Sequence, residues 1–369
     1  MLGPRWQGLA FENKMLVFKA SLITILIYAL IIYFFASMMN QSRSRSNETH
    51  IARMSPTLGE PGHTPPEPYP SSENYVTVKV GTYFDNVDVL SIKDSMWSTN
   101  FYVWFNWKGD AKLDPGGKLV VVDGTINKKE LLEEYHGDNG NYQKYRISAK
   151  IIKFFDTSRV PLENHMLNVY IENGEMDSTK LRFVADEASN ISSRLKISGF
   201  KITGKSNVVK PHTYKTNYGS PNLPADSRSI YSQYIAAIEI SRINYGFYFK
   251  VFLSLFAAIL LALSSFCINP ADVAPRFGLP TSAYFGAVAN TYLVSSLLPA
   301  SGSFGLVDSI SLIGLFTIFI AIVLSLVAAY YHRNDNKDLV VVFDKVMLWV
   351  VGLCCLVANI IIPWCANSV

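Results

Sequence analysis

The chain has 369 residues, of which 49% are apolar, with a formal net charge of +4 and a mean hydropathy of +0.18. That hydropathy is high for a soluble enzyme. The basic residues are scattered, leaving no patch suited to a phosphate backbone, so no nucleic-acid partner is expected. The apolar excess sits in blocks at 15–39, 247–267, 279–299, 306–331 and 340–364. Each approaches or exceeds the ~20 residues needed to cross a ~30 Å hydrocarbon core. The four cysteines, Cys267, Cys354, Cys355 and Cys365, lie in or beside these blocks, so no disulfide staples the polar region between 40 and 246.

The first block follows Arg5, Lys14 and Lys19 and has no small-x-small cleavage site after it. It reads as a retained signal anchor over 1–39 rather than a cleaved signal peptide. Residues 40–73 are rich in Ser, Pro and Gly and read as an extended linker. From 74 to 241 short alternating segments are separated by turn signals. Strands are predicted at 75–80, 101–107, 118–122, 142–155, 165–172, 180–184, 196–203 and 231–241. The turns include Asp114-Pro115-Gly116-Gly117, Asp123-Gly124 and Asn173-Gly174. Many short strands with frequent turns predict an all-β, immunoglobulin-like sandwich. It runs without a linker into a four-helix transmembrane domain over 242–369.

Within that domain the segment 272–297 carries glycine, hydroxyl and amide side chains at mid-membrane depth, unlike a lipid-facing helix. Gly278, Ser282, Phe285, Ala289, Tyr292 and Ser296 follow i+3/i+4 spacing and share one face. Two readings fit that periodicity equally. Copies around an axis would form rings of hydroxyls with two aromatic constrictions, or the face packs against other helices. Arg276, Arg333, Lys337 and Lys345 fall on one membrane side. The positive-inside rule makes that side cytoplasmic, with the N-terminus inside and the β domain extracellular or periplasmic. The expected location is therefore a cell membrane, as a multi-pass protein. No nucleophile–base pair, metal-ligand spacing or phosphate loop is present and the six histidines are scattered, so neither an enzyme nor a cofactor or metal centre is expected.

Four stretches together resemble the pentameric ligand-gated ion channel superfamily in its prokaryotic form, without the loop disulfide. They are Asn-Phe-Tyr-Val-Trp-Phe-Asn-Trp-Lys at 100–108, Val-Pro-Leu-Glu-Asn-His at 160–165, Leu-Arg-Phe at 181–183, and Ile-Ser-Arg at 240–242 ahead of the spans. In the second, Glu163 stands where Asp is usual and His165 where Gln is usual. Ser254 replaces a proline usual in the first channel span. The resemblance covers about 74–366 and implies a homopentamer in a lipid bilayer, conducting inorganic ions when an unknown small molecule acts on the β domain. It implies a pore lined by Gly278, Ser282, Phe285, Ala289, Tyr292 and Ser296, with a selectivity region at Asp272, Pro275 and Arg276 that leans towards anions. Pro161, Glu163, Arg242, Pro299 and Asp308 would couple the domains. Tyr102, Glu172, Glu175, Tyr214 and Tyr218 would form a ligand site between subunits suited to an amine. The competing reading is a non-conducting receptor or structural protein of the same fold.

Overall fold

The computed structural model describes residues 3–60, 65–72, 74–138, 140–217, 219, 221, 224, 227–243, 245–299 and 304–367. The chain forms two compact units. One is helical (Met1–Ser44, Thr157–Glu163 and Asn244–Val369) and the other is β-rich (Arg45–Asp156 and Asn164–Ile243).

The helices are α1 (Gly3–Gly8), α2 (Phe11–Met54), α3 (Gly246–Leu263), α4 (Val273–Ser295), α5 (Leu306–Arg333) and α6 (Lys337–Ala366). Four of them, α2, α3 with its following turn, α5 and α6, are long and apolar enough to cross a membrane, which makes this a multi-pass membrane protein. The fifth long helix, α4, has 23 residues but is not among the four. Its glycines, hydroxyls and Asn290 lower its apolarity. The core of the unit is built from Phe252, Leu255 and Ile259 of α3, Ala283 and Ala287 of α4, Ile310 and Ile313 of α5, and Met347, Val351 and Ala358 of α6.

The first span is a packed member of this unit. It buries Val17, Thr24, Tyr28, Phe35 and Met39, which recur seven and four residues apart and so form one narrow stripe. The Tyr28 hydroxyl lies 2.7 Å from Thr317 Oγ1 of α5, and the Phe35 ring stacks on Phe304 at 5.8 Å. Ile23, Leu26, Leu30 and Phe34 on its other sides are exposed, as a lipid-facing surface requires.

This helix does not stop at residue 39. It continues to Met54, so the start of the expected linker is helical. The reason is local. No proline or glycine occurs between Asn40 and Met54, and the first breaker is Pro56. Serine and asparagine weaken a helix by only ~0.5 kcal/mol each, against ~3 for proline. The last turn is also capped. Lys210 Nζ donates to the carbonyls of Ala52 at 2.9 Å, Arg53 at 3.3 Å and Leu58 at 3.0 Å, which satisfies acceptors that a helix end leaves without partners.

The β unit is a two-sheet sandwich. Its strands are β1 (Val76–Ser91), β2 (Met96–Trp107), β3 (Leu119–Val122), β4 (Gly124–Gly137), β5 (Gly140–Ile152), β6 (Asn164–Asn173), β7 (Leu181–Ala185), β8 (Asn190–Ile191), β9 (Phe200–Tyr214) and β10 (Ser229–Arg242). One sheet runs β4-β5-β2-β1-β7 with β8 on β1, and the other runs β3-β6-β10-β9. Strand β2 shows how the sequence makes this structure. Trp97, Phe101, Val103, Phe105 and Trp107 alternate into the core, each with under a twentieth of its surface exposed, while Tyr102, Trp104 and Asn106 stay half-buried on the other face. Burying each large side chain contributes about 1.5–3 kcal/mol. Strand β4 has no counterpart among the predicted strands. It is an edge strand, paired with β5 alone, and its charges (Lys128, Lys129, Glu130, Glu133, Glu134) hide the alternation while guarding the edge.

Between β5 and β6 the loop Thr157–Glu163 belongs to the helical unit. The Ser158 carbonyl accepts from Leu306 N at 2.7 Å, the Ser158 hydroxyl lies 2.5 Å from that of Ser42 on α2, and Arg159 Nη1 donates to Ala366 O at the end of α6. Gly305 permits this approach, since a Cβ there would stand 2.7 Å from the Ser158 carbonyl oxygen. Gly305→Ala is therefore expected to dislodge the loop and cost about 1–3 kcal/mol, as overpacking does. A lowered melting temperature of the detergent-solubilised protein would show it, while Gly278→Ala, where an added Cβ meets no atom within 4 Å, should melt no lower than the wild type.

Candidate functional site

Helix α4 is two-faced. Arg276, Pro280, Ala283, Ala287, Asn290 and Val294, spaced four and three apart, are buried against the rest of the helical unit. Asn290 is held there by the Ser254 hydroxyl of α3, which donates to its Oδ1. The six residues Gly278, Ser282, Phe285, Ala289, Tyr292 and Ser296 all lie on exposed surface. Phe285 is 67% and Tyr292 79% exposed. The helix needs no neighbour to satisfy its terminal hydroxyl, because Ser296 Oγ donates to Leu293 O at 2.6 Å.

The expected selectivity residues separate at the start of α4. Asp272 and Pro275 are exposed, whereas Arg276 is fully buried on the opposite face. Its guanidinium forks onto Asp344 of α6, Nη1 to Oδ2 at 2.9 Å and Nη2 to Oδ1 at 2.6 Å, and also donates to Ile268 O at 2.8 Å. Arg276 therefore does not share the face of the stripe, and its charge is compensated. Asp344 is absent from the residues expected to matter, although one acid beside an apolar run is a signal of this kind of pairing.

The expected coupling residues fall in both units. Pro161 and Glu163 lie buried in the loop that docks on the helices, and Pro299 follows α4. Asp308 acts locally, since its Oδ2 accepts from Gly305 N at 2.8 Å and caps α5. Arg242, at the end of β10, sets its guanidinium 4.1 Å from the centroid of the Phe200 ring.

In the β unit, Glu172 is 4% exposed and already engaged. Its Oε1 accepts from Gln233 Nε2 at 2.7 Å and lies 2.6 Å from His212 Nδ1, while Oε2 accepts from the Tyr214 hydroxyl at 2.9 Å. The structure thus brings Glu172 and Tyr214 together, as a carboxylate tying β6 to β9 and β10 rather than one open to an amine. Nothing in the local sequence marks His212 or Gln233 as its partners. Glu175 is exposed and paired with Lys118, and Tyr102 lies on the other sheet, 5.8 Å from the Arg146 guanidinium. Tyr218 lies outside the described residues.

No protein-family model matches this chain, and no curated protein proved similar to it.

Two outcomes follow from the buried charges. Asp344→Asn is expected to cost about 3–5 kcal/mol, because it strands a buried guanidinium. Adding Arg276→Gln should recover part of the loss, and a double-mutant cycle on thermal melting checks the coupling. Glu172→Gln leaves one acceptor where two oxygens now serve three donors. It should lower stability by about 1–3 kcal/mol, read as earlier unfolding of the β unit by tryptophan fluorescence.

Proposed function

We propose that the chain is a subunit of an ion channel in which several copies, five as its sequence resemblance implies, set α4 around a central pore that responds to a chemical stimulus on the β unit. The observation that carries this reading is the division of α4. A helix too polar to count as a lipid-facing span buries only one narrow stripe and leaves small, hydroxyl and aromatic residues on its surface. Hydrocarbon is a poor neighbour for such a face, and water or copies of the same helix are good ones. Rings of Phe285 and Tyr292 would close the pore by dewetting, since an ion crossing an apolar constriction loses hydration that nothing replaces.

The basic residues at the loop ends support an outside β unit and a cytoplasmic N-terminus. The lean towards anions that the resemblance implies rests on Arg276 and the residues before it. With Arg276 neutralised by Asp344, the exposed charge at the start of α4 is Asp272, and a ring of Asp272 would favour cations. The non-conducting receptor draws on the bulk of Phe285 and Tyr292, and the same recordings decide between the two.

Purified protein in planar bilayers is expected to show discrete currents with a cation-following reversal potential. Phe285→Ala should raise the resting current about tenfold or more, since about 1.4 kcal/mol off the closed state is a factor of ten, and Asp272→Asn should move the reversal potential towards zero. Silent bilayers with every variant, or a Ser282→Cys side chain that no charged thiol reagent reaches, would overturn the reading.

A further inference from the structure

The β unit contains a cavity of about 850 Å³, within the range of small-molecule sites. It does not depend on the residues of the expected ligand site between subunits. One wall is the outer face of the second sheet, with Asn168 and Tyr170 of β6, Lys210 and His212 of β9, and Ile235 of β10. The other wall comes from the last turn of α2 (Thr49, Arg53) and the proline segment after it (Glu60, Pro65, Pro66), the part of the chain for which the channel resemblance offers no role.

Four cations line this space, and Lys215 is paired with Glu67, 3.4 Å away. Arg53 is compensated by Glu60, with Nη2 on Oε2 at 2.6 Å and Nε on Oε1 at 2.8 Å. Lys210 is occupied by the carbonyls at the end of α2. Lys153 differs. Its ammonium donates to Asn168 Oδ1 at 2.9 Å and forms no ion pair among the described residues. Burial pushes its pKa down to about 7, the nearby Arg53 guanidinium acts in the same direction, and Glu60 and Asp123 only partly offset them. Glu60, Glu67 and Asp123 also line the cavity, but none of them forms a salt bridge with Lys153 among the described residues, and a carboxylate brought against its ammonium would favour the charged form. Asn168 adds a second, independent sign. It is 1% exposed, and its Nδ2 has no acceptor, although a buried amide donor ordinarily has one. The cavity therefore offers an ammonium outside any ion pair among the described residues and a spare donor. Beside them stand the apolar surfaces of Val122, Ile151, Phe154 and Ile235.

We propose that this cavity binds a small organic carboxylate with an apolar body, its carboxylate on Lys153 and Asn168 and its body against the aliphatic and aromatic wall. A bare inorganic anion would leave the apolar surface unused, and an amine would meet Lys153 with like charge. The proposal holds whether or not the protein conducts, because binding is read on purified protein without a bilayer current.

The test is calorimetric titration and thermal melting of the full-length protein in detergent with acetate, benzoate and 4-phenylbutyrate, each beside its neutral amide. The acids with a ring are expected to raise the melting temperature and to bind more tightly than acetate, and their amides to do neither. Lys153→Met should weaken 4-phenylbutyrate about tenfold or more, as removal of one partner of a desolvated charge pair does. Lys153→Arg should retain binding, and Lys118→Met, which alters only the exposed pair with Glu175, should match the wild type. Equal response to acid and amide, unchanged affinity in Lys153→Met, or no response to any acid at millimolar concentration would overturn the proposal. The acid–amide comparison on the unaltered protein decides the matter even if the lysine variants fail to fold.

Discussion

The helical unit is organised around a piece of chain that is not helical. The loop Thr157–Glu163 leaves one strand of the sandwich, hydrogen-bonds through Ser158 to the first residue of α5, meets Ser42 of α2 and reaches the end of α6 through Arg159, then returns to the sandwich. Backbone groups cannot be left without partners in an apolar surrounding, so the loop and the helix ends satisfy one another. Gly305 at the α5 N-terminus keeps that approach open. The chain thus crosses between the two units at both ends of this loop as well as after Arg242.

The two faces of α4 divide the labour within the same unit. Its buried face is fixed by tight, specific contacts: the fork of Arg276 on Asp344 and the bond from Ser254 to Asn290. Breaking either leaves an uncompensated polar group, which costs far more than the intact pair contributes. The orientation of the helix is held by what it hides, and the opposite face is left to be chosen for what it meets. That arrangement suits a helix whose exposed residues must present one chemistry to an axis.

How much of this is legible in the sequence depends on the element. The spans and the strand β2 are legible because length and strict alternation are properties of the chain alone, as Trp97 to Trp107 show. Strand β4 is not, because its pairing with β5 overrides a charged local sequence. The extension of α2 reads as linker. Serine-rich composition suggests an extended spacer, whereas helix termination depends on the absent proline and on Lys210, which is 157 residues beyond Arg53. The spacing of the α4 stripe is visible, but the direction in which Arg276 turns is not, since it is set by Asp344 on a helix 68 residues away. Glu172 stands out in the sequence, yet its environment does not, because the three groups that surround it are brought together only by the pairing of β6, β9 and β10.

The length of α2 carries one more consequence. Forty-four residues of α-helix extend about 66 Å, roughly twice a hydrocarbon core. The segment between the last apolar residue of its buried stripe, Met39, and Arg53 contains neither glycine nor proline, the residues that most weaken a helix interior. The apolar part of the helix, residues 15–39, by the same measure spans about 38 Å, longer than a ~30 Å core, and such a mismatch is met by tilting or by local thickening of the bilayer.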